Sequence, residues 1–185
     1  MYAFPTDGRP ETAMVSTVPF WNGDTMGLTT TPAELNLIGS SWATWSHGYS
    51  GAVYWTDGMV SDQQTLQFPA NIQAFYMYIQ PNYLSDSFTF WITAGAESTS
   101  LTIDGNGGAK YVGLYTDDSN ESLVSLTILD LSQGNSDGFA IGEFASNVPE
   151  PISVIPEPGS IVALGCVLAT GLMLRNRATP RATKS

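Results

Sequence analysis

Apolar and polar residues alternate with a period of two in seven separate stretches of this chain. They are Gly51–Thr56 (GAVYWT), Ile72–Ile79 (IQAFYMYI), Ser87–Thr93 (SFTFWIT), Ser100–Asp104 (SLTID), Lys110–Tyr115 (KYVGLY), Leu123–Leu131 (LVSLTILDL) and Phe139–Phe144 (FAIGEF). Successive side chains of a strand point to opposite faces, so this alternation predicts strands with one buried face. Their β-branched and aromatic residues suit a pleated, half-buried surface. Turn clusters separate them: Thr56-Asp57-Gly58, Pro81-Asn82, Ala94-Gly95-Ala96, Asp104–Gly108, Asp117–Asn120 and Gly134–Gly138. Short strands with such turns predict a mainly β fold, a single antiparallel β-sandwich. Pro32–Leu37 is the one place in the body where a helical turn fits, and no repeat of fixed period is present.

The pattern changes near the C-terminus. Ile161–Leu174 (IVALGCVLATGLML) is fourteen residues without a charge, or seventeen counted from Pro158. As a helix this run spans about 21–26 Å against a hydrocarbon core of about 30 Å, short for a permanent span. Ser160 is placed to cap it. The predicted organisation is a β-sandwich over residues 1–146, a Pro-rich spacer over 147–157, a hydrophobic helix over 160–174 and a basic tail over 175–185. Cys166, the only cysteine, lies in the apolar run and reads as a small apolar residue.

Charge sharpens this division. Residues 1–157 hold only Arg9 and Lys110 against all seventeen Asp and Glu, while Arg175, Arg177, Arg181 and Lys184 follow the apolar run. A body this acidic has no surface to neutralise phosphates, which excludes nucleic acid as a partner. Only 12 % of residues are charged while 43 % are hydrophobic, the opposite of a disordered chain. The arginines act as a basic stop, and basic flanks stay on the cytoplasmic side, which puts the body on the opposite face of the membrane.

Pro156-Glu157-Pro158-Gly159-Ser160, the short apolar helix and the basic stop Arg175, Arg177 and Arg181 together resemble the PEP-CTERM sorting signal of Gram-negative bacteria. The resemblance covers about the last thirty residues. It implies recognition by a membrane-embedded exosortase-type protease, removal of the tail, and transient membrane anchoring before release to the cell surface or the extracellular space. Proteins with this signal are associated with bacteria that make extracellular polysaccharide, which the resemblance therefore offers as a candidate partner. A second copy, Val148-Pro149-Glu150-Pro151, reads as part of an extended spacer. The chain begins MYAFPTDGRPETAMV, with neither the basic n-region nor the apolar run of a signal peptide. The expectation is that a leader lies upstream of Met1; the alternative is that the protein is not exported. The order of Phe68-Pro69, Ala74-Phe75-Tyr76, Val112–Tyr115 and Asp137–Ile141 is also similar to the jelly-roll modules of PEP-CTERM proteins, with Gly142-Glu143 where that pattern has an acidic and then a polar residue.

Catalytic constellations are scarce. His47 is the only histidine, no Gly-x-Ser-x-Gly elbow exists, and no phosphate-binding glycine loop with Lys is present. With aromatic neighbours, His47 reads as a loop or packing residue. Seventeen acids supply carboxylate pairs of glycosidase type by chance alone. Two features carry more chemistry. Trp42, Trp45, Tyr49 and Trp55 interleave with Ser and Gly, and flat rings beside small polar groups form sugar-stacking platforms; core packing is the favoured alternative. Asp104, Asn106, Asp117 and Asp118 lie in oxygen-rich turns that suit Ca²⁺, although neither turn has EF-hand spacing and solvated turns are favoured. The leading expectation is a non-enzymatic surface or matrix protein associated with exopolysaccharide. A carbohydrate-binding module comes second and a secreted glycan hydrolase third.

Overall fold

The computed structural model describes residues 1–83, 86–118, 120–132 and 137–147. The chain divides into two compact units, Met1–Pro149 and Glu150–Ser185, and all described residues belong to the first. The predicted sorting motif, helix 160–174 and basic stop therefore lie outside the described residues, as do positions 148–157 of the spacer. Among the described residues no helix is long and apolar enough to cross a membrane.

The described unit is mainly β, with thirteen strands in two antiparallel sheets. In chain order they are β1 (Tyr2–Ala3), β2 (Met14–Val15), β3 (Thr17–Pro19), β4 (Thr25–Leu28), β5 (Ala33–Leu37), β6 (Ala52–Thr56) and β7 (Gln63–Gln67). Then follow β8 (Ala74–Pro81), β9 (Ser87–Ala94), β10 (Glu97–Asp104), β11 (Lys110–Tyr115), β12 (Ser125–Asp130) and β13 (Phe139–Asn147). The seven-stranded sheet runs β11-β8-β13-β6-β5-β2, with β1 also paired to β13; the six-stranded sheet runs β10-β9-β12-β7-β4-β3.

The sheets bury one face each against a shared core. Tyr54, Phe75, Met77, Ile79, Phe139 and Ile141 come from the larger sheet, and Met26, Leu66, Phe88, Phe90, Ile92 and Ile128 from the smaller. Phe90 meets Phe139 across the gap, ring centroids 5.4 Å apart and near perpendicular, the edge-to-face arrangement that aromatic quadrupoles favour. Each pair of sequence neighbours in these strands sends one side chain to the core and one outward, the arrangement the alternation predicts.

All seven predicted stretches contain strands, with ends displaced by a few residues. Pro32–Leu37 corrects one expectation: Ala33–Leu37 is β5, paired antiparallel to β6 from Glu34↔Trp55 to Leu37↔Ala52. Hydrogen-bonding partners on both sides overrode a local pattern that fits a helical turn. The six strands not predicted are short or carry few apolar residues. In β7 (QQTLQ) the inward positions are Leu66 and Gln64. Gln64 is buried because its side chain bonds the Thr31 carbonyl (2.8 Å) and accepts from the Thr30 amide (3.3 Å), which satisfies a buried amide as a core requires.

An N-terminal hook completes the unit. Asp7, whose side chain is 1 % exposed, accepts from Arg9 Nε (2.9 Å) and from the Tyr54 hydroxyl (2.8 Å). Burial opposes ionisation of Asp7, but the Arg9 and Tyr54 hydrogen bonds outweigh it and hold the carboxyl below its ordinary value. Burial first, then Asp7, push the Tyr54 phenol strongly upward. Residues 1–9 are thereby clamped to β6 and are part of the fold.

Candidate functional site

The outward face of the seven-stranded sheet is aromatic. Tyr76 and Tyr78 alternate with the core residues of β8, and the register Tyr111↔Tyr78 and Gly113↔Tyr76 sets β11 beside them. The three rings touch: centroids are 5.6 Å apart for Tyr76–Tyr111 and 5.7 Å for Tyr78–Tyr111. Tyr111 lies flat along its own strand, over Gly113. A Cβ at Gly113 would stand 2.3 Å from the Tyr111 hydroxyl, so only glycine leaves room for the ring in this position. Tyr111 is 56 % exposed to solvent.

The connection between β5 and β6 folds over the rest of this face and is fastened to it by side chains. Trp42 Nε1 donates to Gln80 Oε1 (2.9 Å), and Gln80 Nε2 donates to Thr44 Oγ1 (2.9 Å). Ser46 Oγ donates to the Ala109 carbonyl (2.7 Å). His47 (φ 58°) and Gly48 (φ 71°) turn the chain back in left-handed geometry. The His47 ring meets Tyr78 edge-on at 4.7 Å. It is exposed, as the loop reading expects.

The predicted platform residues come together in one apolar cluster, with Trp42 at its buried centre. Trp42 is buried with Val53 and Ala140 in this second cluster, against which Trp45, Tyr49 and Trp55 pack half-buried. Trp55 donates its indole N–H to the Asp137 carbonyl (2.9 Å). Trp45 and Tyr49 are brought toward the tyrosine face through Glu143: Trp45 Nε1 donates to Glu143 Oε2 (3.1 Å). Tyr49 donates to the Ala52 carbonyl (3.0 Å) and lies over Gly51.

Glu143 owes its position to a bulge. Strand β13 pairs with β8 from Phe139 to Gly142 and again from Ala145, with one extra residue in between. Glu143 takes φ 54°, left-handed geometry that a non-glycine residue adopts at a cost. On its other edge β13 changes partners at the same point: β6 pairs with Phe139–Gly142, and β1 with Ala145–Ser146. The gap between the end of β1 and the start of β6 opens a cleft of about 300 Å³, lined by Ala3–Asp7, Tyr49, Gly51, Tyr76 and Glu143. Pockets of this size accommodate small ligands. Electrostatics converge here too. Burial raises the Tyr49 phenol above its ordinary value; the Glu143 amide opposes this and the Glu143 carboxylate adds to it. Tyr78 is raised by desolvation first, then by Glu143 and the neighbouring tyrosines.

The arrangement offers flat aromatic faces, the hydroxyls of Tyr76, Tyr78 and Tyr111 and the Glu143 carboxylate, while the indole N–H groups of Trp42, Trp45 and Trp55 are donated within the protein. Sequence patterning missed Tyr76, Tyr78, Tyr111 and Glu143. The alternation in Ala74–Ile79 does put both β8 tyrosines on one face, but the partner strand and the bulge depend on long-range pairing.

The Ca²⁺ candidates lie in two turns, at the two ends of β11. Asp104 Oδ1 accepts from the Asn106 amide (3.0 Å) and caps a short 3₁₀ turn, Gly105–Gly107, after β10. Asp118 Oδ1 accepts from the Asn120 amide (2.8 Å) in the turn after β11, where Asp117 also lies. Among the described residues no three His, Cys, Asp or Glu side chains form a metal-binding group.

No protein-family model and no curated protein matches the chain. Among solved structures, TmCBM61 in complex with β-1,4-galactotriose is similar at a TM-score of 0.35 and 9 % identity, over 66 % of this chain and 86 % of that one. At that level the likeness carries no argument about ligand or fold; what stands is a two-sheet antiparallel β unit with an aromatic outer face.

Proposed function

We propose that this chain is a non-enzymatic, surface-directed protein whose β unit binds a glycan on the outer face of its seven-stranded sheet. The observation that carries the reading is the contiguous set of Tyr76, Tyr78 and Tyr111, with Tyr111 laid open over Gly113. A flat ring matches the apolar face of a pyranose, and a rigid aromatic loses little conformational entropy on binding. Strands β6 to β13 pass repeatedly between the two sheets, which supports the jelly-roll-like form of the sandwich. The direction to the surface rests on Pro156-Glu157-Pro158, the apolar run and the arginines.

Glycan-array binding by the wild-type chain, lost about tenfold or more in Tyr111→Ala or Tyr78→Ala, tests the first part; binding unchanged in both variants sinks it. For the second part, the chain is expressed behind a signal peptide in an exosortase-bearing strain. The segment after Pro158 is then lost, and Glu157→Ala blocks the loss. An intact C-terminal mass in that strain rules the sorting reading out.

A further inference from the structure

The cleft beside the β13 bulge narrows the class of glycan. A carboxylate is acceptor-only, so Glu143 takes hydroxyl donors from a sugar and disfavours another carboxylate. Trp45 engages Oε2, which fixes the head group while the side chain still lines the cleft with Tyr49 and Tyr76. A strained backbone at this position costs stability, and such strain collects where a side chain must be aimed.

Among the described residues no basic side chain forms an ion pair with Glu143. Residues 1–157 contain two basic side chains. Arg9 is spent on Asp7 and the Thr17 carbonyl. Lys110 is opposite Ile79 in the register, the neighbour of Tyr111 and so on the other face of β11. The aromatic face thus borders an acidic cleft in an acidic body.

Resting on the glycan-binding reading, we infer that the site is specific for neutral glycans. Glu143 accepts hydroxyl hydrogen bonds from a pyranose seated at the mouth of the cleft between Tyr49 and Tyr76, and it rejects uronate-bearing chains. The tyrosines provide contact area that any pyranose shares, and Glu143 provides the discrimination, by attraction of hydroxyls and repulsion of carboxylates.

The test uses the full chain in mild detergent and calorimetric titration with neutral oligomers (dextran, laminarin and galactan series) and with oligogalacturonate and alginate oligomers. The wild type binds at least one neutral series at least tenfold more tightly than either uronate series. Raising the salt concentration narrows the gap, because screening weakens the repulsion. Glu143→Gln keeps an acceptor for the Trp45 indole, leaves the thermal midpoint unchanged, weakens neutral binding about tenfold and shrinks the preference over uronates. If Glu143→Gln does shift the midpoint, the wild-type selectivity ratio alone decides. Uronate binding as tight as neutral binding overturns the inference, and so does full neutral affinity in a folded Glu143→Gln; in both cases loss on Tyr111→Ala leaves the glycan-binding reading standing. No wild-type binding to any of these oligomers overturns both.

Discussion

The two sheets share a core yet present opposite outer faces. The six-stranded sheet faces outward mostly with short hydroxyl side chains, set around one exposed ring, Trp91. Thr65 meets Thr127 across β7 and β12 at 3.0 Å, Thr89 meets Thr102 across β9 and β10 at 3.2 Å, and Ser100 is opposite Trp91. Cross-strand hydroxyl pairs hold register and hydrate easily. The seven-stranded sheet instead turns outward Tyr76, Tyr78 and Tyr111 and carries a loop fastened over the remainder. Large rings are not needed to keep a sheet in register, and an exposed aromatic group of this kind marks a surface for contact. The same strand periodicity thus yields a hydroxyl-rich face on one side and a tyrosine face, the proposed binding surface, on the other.

The largest effect removes the support both faces share. Phe90→Ala leaves a void against Phe139 in the sealed core and should lower stability by about 3–5 kcal/mol. Chemical denaturation reads the loss, and both faces should fail together. A smaller, one-sided break is Asp7→Asn, which strips the charge from the clamp between Arg9 and Tyr54. It should cost about 2 kcal/mol, the scale of hydrogen bonds to a charged group. The folded-state carboxyl of Asp7 is held below its ordinary 3.8. Its contribution is therefore complete above the unfolded-state value and is lost as pH falls through the folded one. Wild type should lose stability on acidification in that window more steeply than Asp7→Asn does, and equal slopes would count against the clamp.

Gly113→Ala makes a finer distinction. Gly113 has no left-handed backbone requirement, so its added methyl displaces the Tyr111 ring and little else. The expected outcome is glycan affinity reduced about threefold to tenfold with stability changed by less than about 1 kcal/mol. An unaltered affinity would show that the ring position is immaterial. Thr127→Val on the opposite sheet is the smallest change, within about 0.5 kcal/mol in stability. It should leave glycan titrations unchanged; a loss there would erase the division of labour between the faces.

Much of this was legible along the chain. Period-two alternation identified seven strand-bearing segments and the Gly and Asn turns between them, because strand geometry dictates that pattern locally. The acidic body and the lone histidine were equally plain. The short strands were harder to see: β3 offers the core Val18 alone, and β7 relies on a buried Gln64 whose partners are more than thirty residues away. Trp42, Trp45, Tyr49 and Trp55 stood out as a cluster, but sequence proximity could not say that Trp42 would be buried on Gln80 while Trp45 turned to Glu143.

By itself the sequence determined the β class, the acidity of the body and the tripartite C-terminal pattern, all of which depend on neighbouring residues or on simple composition. Only the tertiary structure decided which face became aromatic and open. That outcome rests on β11 pairing with β8 in one register, and on β13 taking one extra residue where β6 gives way to β1. A shift of one residue in either strand would turn the tyrosines inward or close the cleft, since side chains alternate faces with a period of two. The aromatic face is a property of register, and register is settled by partners distant in the chain.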